Sequence, residues 1–340
     1  MYNVCVYKEG EQMISVAMAS YNGEKYIEQQ LDSIFNQSKK IDELIITDDC
    51  STDNTVFVIE EYIKKHPNFK IYLIKNKNNL GYKKNFYKAL SYCKGDYIFL
   101  CDQDDIWLEE KVETMIGIMN DYPQIKALAS SFQFIDKDNN PKEVELIPTF
   151  SNNNLYRRIV KKDDLVKVLF DEMLIQNGFQ GCALCITKEM NQIFLKCFTD
   201  ELFHDWLINL LASSRNGLYF YNHPLFLYRI HDNNTIGINK SENLTEKERL
   251  KKTNTLDVRI KFAKDSYINI DVLEKVDQEL IKNQNDYKEK RSFYYNHVQY
   301  LTYGNPIKIL FQNFSPYYKN IKTKKARVMD IFFAIKQRLV

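Results

Sequence analysis

The 340-residue sequence predicts an α/β fold, a mostly parallel sheet flanked by helices and followed by a helical C-terminal extension. Three observations predict it. Through the first hundred residues, short apolar runs alternate with stretches whose apolar residues recur at helical spacing, the signature of strand–helix–strand units. Each of the main apolar runs ends in a polar cluster, as strands do when their carboxyl ends open onto a ligand crevice. From about Asn239 onward the chain becomes charged and helix-like, so residues 1–238 and 239–340 are expected to be separate parts.

Taken in order, Met13 to Met18 reads as a buried strand, followed by the polar turn Ala19-Ser20-Tyr21-Asn22-Gly23. A helix follows, with Ile27, Leu31, Ile34 and Phe35 on one face. Glu43 to Thr47 is a second strand and ends at Asp48-Asp49. Ser51-Thr52-Asp53-Asn54 supplies N-cap chemistry for a helix through Val58, Ile59 and Tyr62. Lys70 to Ile74 is a third strand, Lys83 to Cys93 a helix, and Tyr97 to Cys101 a fourth strand running into Asp102-Gln103-Asp104-Asp105-Ile106-Trp107. Beyond it, Ile125 to Ile135 and Cys182 to Thr187 read as strands, and Leu225 to Ile230 is an apolar run leading into His231. Asp163 to Leu174 and Leu202 to Ala212 read as helices, and Val144 to Tyr156 is irregular.

Composition narrows the function classes. Hydrophobic residues make up 44% of the chain, enough for a core. Residues 291–340 hold nine Lys/Arg against one acid, Asp330, whereas the first 290 hold thirty-eight against forty-four. Eleven Phe/Tyr in that basic tail favour an anionic membrane surface over nucleic acid. The seven cysteines are odd in number and irregularly spaced, which argues against a disulfide framework. Cys182 and Cys185 read as small apolar residues of a strand. No apolar run approaches the roughly 18–20 residues of a membrane span, and no signal peptide is visible. The expected location is therefore cytoplasmic, peripheral on the inner face of the cell membrane.

The chemistry is concentrated at the strand ends. Three carboxylates fall within Asp102 to Asp105, where they raise one another's pKa unless a cation sits among them. Hard Mg²⁺ or Mn²⁺ suits carboxylate oxygens and a substrate's phosphates. The plainer alternative is an acidic turn that caps a helix starting near Leu108. Asp49, at the next strand end, is placed to accept from the imide N–H of a pyrimidine base, and Tyr21 to stack on that base. Asp205, beside Trp206, is a candidate general base; the alternative is that His204-Asp205 merely opens an amphipathic helix.

In order and spacing, Ser15 to Gly23, Glu43 to Asp53, Asn79-Leu80-Gly81, Gly95 to Ile98 and Asp102 to Trp107 resemble family-2 glycosyltransferases of the GT-A fold. Gly181 to Leu184 resembles the family's acceptor-side segment, and Phe203-His204-Asp205-Trp206 falls where it keeps its catalytic base. Tyr228-Arg229-Ile230-His231-Asp232-Asn233-Asn234 resembles the closing motif of its bacterial polysaccharide rhamnosyltransferase-like branch. The resemblance implies an inverting, metal-dependent transfer from a nucleoside-diphosphate sugar, dTDP-rhamnose or a UDP-hexose, to a growing cell-surface polysaccharide or lipid-linked glycan. It implies Asp205 as base, Asp102, Asp104 and His231 as ligands of Mn²⁺ or Mg²⁺, and Ser20, Tyr21, Asn22, Asp49, Lys84, Asp102, Gln103 and His231 as the nucleotide-sugar site. Cys50 stands where the family usually has Gly, so that turn is expected to bend differently. The competing readings are a non-catalytic nucleotide-sugar-binding scaffold and a transferase acting on a protein acceptor. A pyrophosphorylase would need a Gly-rich basic phosphate loop, which Ala19 to Gly23 is not.

Overall fold

The structure is a computed structural model. It describes residues 12–143, 160–231, 255–278, 280 and 286–339, so Asp232, Asn233, Asn234 and the expected irregular Val144 to Tyr156 stretch lie outside the described residues. Cα packing divides the chain into two units, Met1–Lys167 with Phe179–Gly237, and Val168–Gly178 with Ile238–Val340.

The first unit is built on a nine-stranded mixed sheet in the order β3-β2-β1-β4-β8-β6-β9-β5, with β7 paired to β9. Its first four strands, β1 (Ile14–Ser20), β2 (Glu43–Asp48), β3 (Ile71–Lys75) and β4 (Tyr97–Asp102), are mutually parallel. Their connections are α1 (Ile27–Phe35), α2 (Thr55–Lys65) and α3 (Tyr82–Tyr92). Every residue of β2 and all but one of β1 are buried, as expected for strands covered on both faces. In register, Ser20 lies beside Asp48 and Ala19 beside Asp102, so the polar clusters after β1, β2 and β4 share one edge.

The remaining strands make the sheet mixed. β8 (Leu184–Thr187) runs antiparallel between β4 and β6 (Ala127–Ile135). β9 (Leu218–Arg229) is parallel to β6, with register shifts around Ser131, which faces Pro224. A proline lacks the ladder N–H and is tolerated at such an irregularity. The two-residue β5 (Ile106–Trp107), unforeseen in the sequence, pairs antiparallel with β9 and pins the residues just after the acidic cluster. Among the described residues the unit also holds the helices α4 (Lys111–Asp121), α6 (Lys188–Cys197) and α7 (His204–Ser214).

Two expectations need correcting. The helix expected from Asp163 to Leu174 is split into β7 (Leu165–Lys167), antiparallel to β9, and the short α5 (Phe170–Ile175). Asp163 at φ +67° breaks the helical path, and Val166 and Val168 suit an extended backbone. Phe35, expected on the buried face of α1, is 37% exposed and packs at the surface on His66 and Phe69.

The second unit is helical: α8 (Leu256–Val276), α9 (Asp286–Thr302), α10 (Pro306–Gln312), α11 (Pro316–Ile321) and α12 (Lys324–Arg338), joined by α5. Asn269 Nδ2 donates to the Leu174 carbonyl, and Lys290 pairs with Asp171 at 2.9 Å, which ties α5 to these helices. A polar core centres on Asp330, fully buried, with Arg259 at 2.5 Å, Lys322 at 2.6 Å and the Tyr318 hydroxyl donating at 2.6 Å. Burial alone would raise the Asp330 pKa, but Lys322, His297 and Arg259 outweigh it and hold the carboxyl far below the usual range. Among the described residues, no helix is long and apolar enough to cross a membrane.

Candidate active site

The loops after β1, β2 and β4 interlock through side chains that the sequence had assigned to ligand binding. Ser20 Oγ donates to Asp48 Oδ2, which also receives Ser51 Oγ. Asn22, at φ +50°, accepts the Thr52 amide on its Oδ1 while its own N–H donates to Ser51 Oγ. Gln103 pairs with the Tyr21 backbone in both directions, accepting its N–H at 2.9 Å and donating to its carbonyl at 2.8 Å. That approach requires Gly23, since a Cβ there would lie 2.2 Å from Gln103 Oε1. The Tyr21 ring, 47% exposed, stays open for stacking.

Asp49 is only 2% exposed, and its carboxylate accepts from the amides of Leu80 (2.7 Å) and Gly81 (2.8 Å) and from Asn76 Nδ2 (2.8 Å). As built it holds the Asn79-Leu80-Gly81 turn against β2, with three of its acceptor positions taken. Cys50 adopts φ +64°, the left-handed conformation a glycine would take. The substitution therefore keeps the turn and strains it, rather than bending it differently. Lys84, on the first turn of α3, pairs with Asp200 at 2.8 Å and is half exposed.

The acidic cluster forms a second layer. Carboxylate oxygens of Asp102 and Asp105 and the Cys182 thiol lie within 4.8 Å of one another, close enough to share a metal ion. Asp104 is outside that trio, its Oδ2 2.9 Å from His231 Nε2, and the His231 ring lies on Tyr26. Burial and the Asp104 charge push Asp102 up to about 7. Burial, then Asp104 and Asp102, raise Asp105 well above the carboxylate range. Asp105 does not cap α4; its Oδ1 accepts the Arg229 amide at 3.1 Å, and its buried Oδ2 has no hydrogen-bond partner among the described residues. Carboxylates crowded in this way are only partly compensated from within the protein, and a divalent cation would supply the rest of the counter-charge. The oxygen donors and the His231 imidazole fit Mn²⁺ or Mg²⁺. The Cys182 thiol, raised by burial and by Asp105 and Asp102, stays protonated and is the poor donor of the group.

Two cations are buried here: Lys111, which escaped the sequence reading, and Arg229, which the sequence placed in the closing motif. Lys111 has no exposed surface, donates to the Cys182 carbonyl at 2.7 Å, and lies over the Trp107 and Phe226 rings at 4.4 and 4.2 Å. Burial lowers it to about 8, so it remains mostly charged at neutral pH. The Arg229 side chain donates to the Asp104 carbonyl (2.7 Å), Asn139 Oδ1 (2.5 Å) and Gln29 Oε1 (2.8 Å), and it stacks on Tyr26. It builds the floor beneath Asp104. Nothing in sequence distinguishes Lys111 from a solvated helix charge, because the acids Glu109 and Glu110 precede it.

Asp205 opens α7, where its Oδ1 accepts the Trp206 amide at 2.7 Å. Its charge acts on both Asp102 and Tyr82, so it lies within electrostatic reach of the acidic cluster. His204 points inward, stacked on Phe86 with ring centroids 4.1 Å apart and packed against Gly181, and burial alone lowers it to about 3. The structure thus gathers Asp102, Asp104, Asp105, His231 and Asp205 at one edge of the sheet. Ser20, Asn22, Asp49 and Gln103 brace the adjoining loops.

Comparison with known proteins bears on family and fold. The pattern described as "Glycosyl transferase family 2" matches residues 15–176. The chain is 31% identical over 246 residues to a dTDP-rhamnosyl transferase of Shigella flexneri, across 66% of this chain and 75% of that protein. An uncharacterized glycosyltransferase of Haemophilus influenzae is 26% identical over 71% of this chain and 73% of its own length. Among solved structures, S. aureus TarS in complex with UDP aligns at TM-score 0.55 and 16% identity over 96% of this chain and 90% of that one. A Pyrobaculum calidifontis mannosyltransferase in complex with GDP-Man and Mn²⁺ aligns at 0.50 and 13% identity, over 97% and 88%. At such identities the structural likeness speaks for the fold, which is GT-A. With its acidic strand end, its matched pattern and its close relative, the chain belongs to glycosyl transferase family 2.

Proposed function

We propose that the protein is an inverting, metal-dependent glycosyltransferase, moving a sugar from a nucleoside-diphosphate donor to a hydroxyl of a cell-surface polysaccharide or lipid-linked glycan. The observation that carries this reading is the placement of Asp205 beside the Asp102–Asp105 cluster. On this reading a proton acceptor and a cation-binding group would flank the donor, as displacement at an anomeric carbon requires. The kinship with a dTDP-rhamnosyl transferase favours dTDP-L-rhamnose as donor, with a UDP-hexose as the second choice.

Asp102, Asp104 and His231 would hold Mn²⁺ or Mg²⁺, with Asp105 behind them. When bound, the cation supplies charge stabilisation to the departing nucleoside diphosphate. The chain's own groups do the rest. Tyr21 offers a ring for the base, on a backbone fixed by Gln103, and Asn22 and Ser20 keep the loops after β1 and β2 in place. Asp205 takes the proton from the acceptor hydroxyl as its oxygen attacks, on the face of the sugar opposite the diphosphate. A general base of this kind contributes roughly 10²–10⁴ in rate.

The test is nucleoside-diphosphate release from dTDP-rhamnose and from UDP-hexoses with a glycan acceptor, with Mn²⁺ or with EDTA. Asp205→Asn should cut turnover by roughly 10²–10⁴ while donor affinity, measured by calorimetry, stays within a few-fold. Turnover near wild type in Asp205→Asn would falsify the assignment of the base. Activity that survives EDTA would remove the metal.

A further inference from the structure

The second unit carries an outward apolar ridge that its own core does not use. On α12 (Lys324–Arg338) the buried positions are Asp330 and Ala334. Val328, Phe332 and Ile335, with Leu339 at the end of the helix, are instead exposed, Leu339 by 82%. At about 100° per residue these four fall within roughly 60° of arc, opposite the buried face. A helix that packs by one face ordinarily turns polar residues outward. Here the outward face is apolar and the charges sit at its margins, with exposed Lys325 and Lys336 on one flank and Lys324 and Arg338 on the other.

A second ridge lies on the neighbouring helix. Ile307, Leu310 and Phe311 of α10 and the following Phe314 are exposed, Phe314 by 76%, with Lys308 among them. The turn before α10 is held against α12 by Gly304, at φ +61°. A Cβ there would lie 2.7 Å from the Arg338 amide nitrogen and 2.9 Å from the Ala334 carbonyl. Only a glycine permits that approach, so the start of α10 is fixed against the C-terminal half of α12.

We infer that this face, the α12 and α10 ridges with their lysine margins, docks onto a lipid bilayer bearing anionic headgroups. Apolar side chains would enter the headgroup–acyl boundary, and the flanking lysines would meet the negative surface, the division of labour of an interfacial amphipathic helix. Charge argues against a second copy of the chain as the occupant. The only acid among residues 291–340 is Asp330, buried and already bonded to Arg259, Lys322 and Tyr318, so self-apposition of the ridge sets lysine against lysine. The inference does not depend on the transferase reading, since it concerns the helical unit alone.

The experiment is flotation of the full chain with vesicles of phosphatidylcholine alone and of phosphatidylcholine mixed with phosphatidylglycerol, without donor or metal. The chain should float with the anionic vesicles, less so in high salt, and poorly with the neutral ones. Phe332→Ser combined with Ile335→Ser should weaken that binding by about tenfold or more. Far-UV circular dichroism should be unchanged, because both side chains are exposed. Lys325→Gln combined with Lys336→Gln should weaken binding to anionic vesicles and flatten its salt dependence. Equal binding of wild type and the Ser variant would overturn the proposal. So would light scattering showing a wild-type dimer that the Ser variant converts to monomer, which would make the ridge a contact between copies.

Discussion

His204 shows how one side chain can link the site to stability. Neither ring nitrogen has a hydrogen-bond partner among the described residues, and burial pulls its pKa down to about 3. The unfolded chain takes up a proton at about 6.5 that the folded chain refuses. Folding stability therefore falls as pH drops from about 6.5 towards 3, and this contribution is fully present above 6.5. His204→Phe should keep the stack on Phe86 and make stability less steep with pH across that window. Urea denaturation at stepped pH gives the slope, and an unaltered slope would mean that the ring is not buried neutral. At Asp104 the expectation is of another kind. Asp104→Ala removes a proposed ligand and the partner of His231, so divalent cation should no longer improve donor affinity in calorimetric titrations, whereas wild type should show a clear gain.

At the scale of elements, the edge formed by β1, β2 and β4 is only as rigid as the ties between its loops. Gly23→Ala tests one of them. The new methyl would displace the flexible end of Gln103, so the steric cost is small. The cost comes from the two hydrogen bonds to the Tyr21 backbone, about 1–3 kcal/mol if both are lost. Gln103→Ala should give a similar loss in denaturation midpoint, and donor affinity should drop in both variants; a silent Gln103→Ala would show the tie to be incidental. The sequence made much of this edge legible, because parallel strands announce themselves by apolar runs and their ends by polar clusters. It did not reveal β5, which is two residues long, nor the strand inside Asp163–Leu174, which depends on pairing with distant β9. Site residues divided in the same way. The carboxylates were visible as a cluster, but Lys111 and Arg229 carry their meaning only through what packs around them, and the bracing role of Asp49 was hidden because its three N–H donors come from a loop about thirty positions on.

For the molecule as a whole, each unit has its own core. The helical unit's core is partly ionic, which makes it sensitive to substitution at Asp330. Asp330→Asn leaves Arg259 and Lys322, both largely shielded from solvent, without their shared carboxylate, and about 3–5 kcal/mol of stability should be lost, read by urea denaturation. A loss under about 1 kcal/mol would mean that solvent reaches the pair. Acid should act on the same node. Asp330 is held ionised, so its contribution is present above about pH 4 and fades as pH falls through its depressed folded value.

The ammonium of Lys111, walled in by two aromatic rings next to Cys182, has a practical corollary. It offsets part of the local negative charge from within the polypeptide, so reaching the native shape should not require a mineral ion from outside. Protein prepared in chelator ought to be dormant yet intact, melting cooperatively and regaining turnover as soon as manganese is returned.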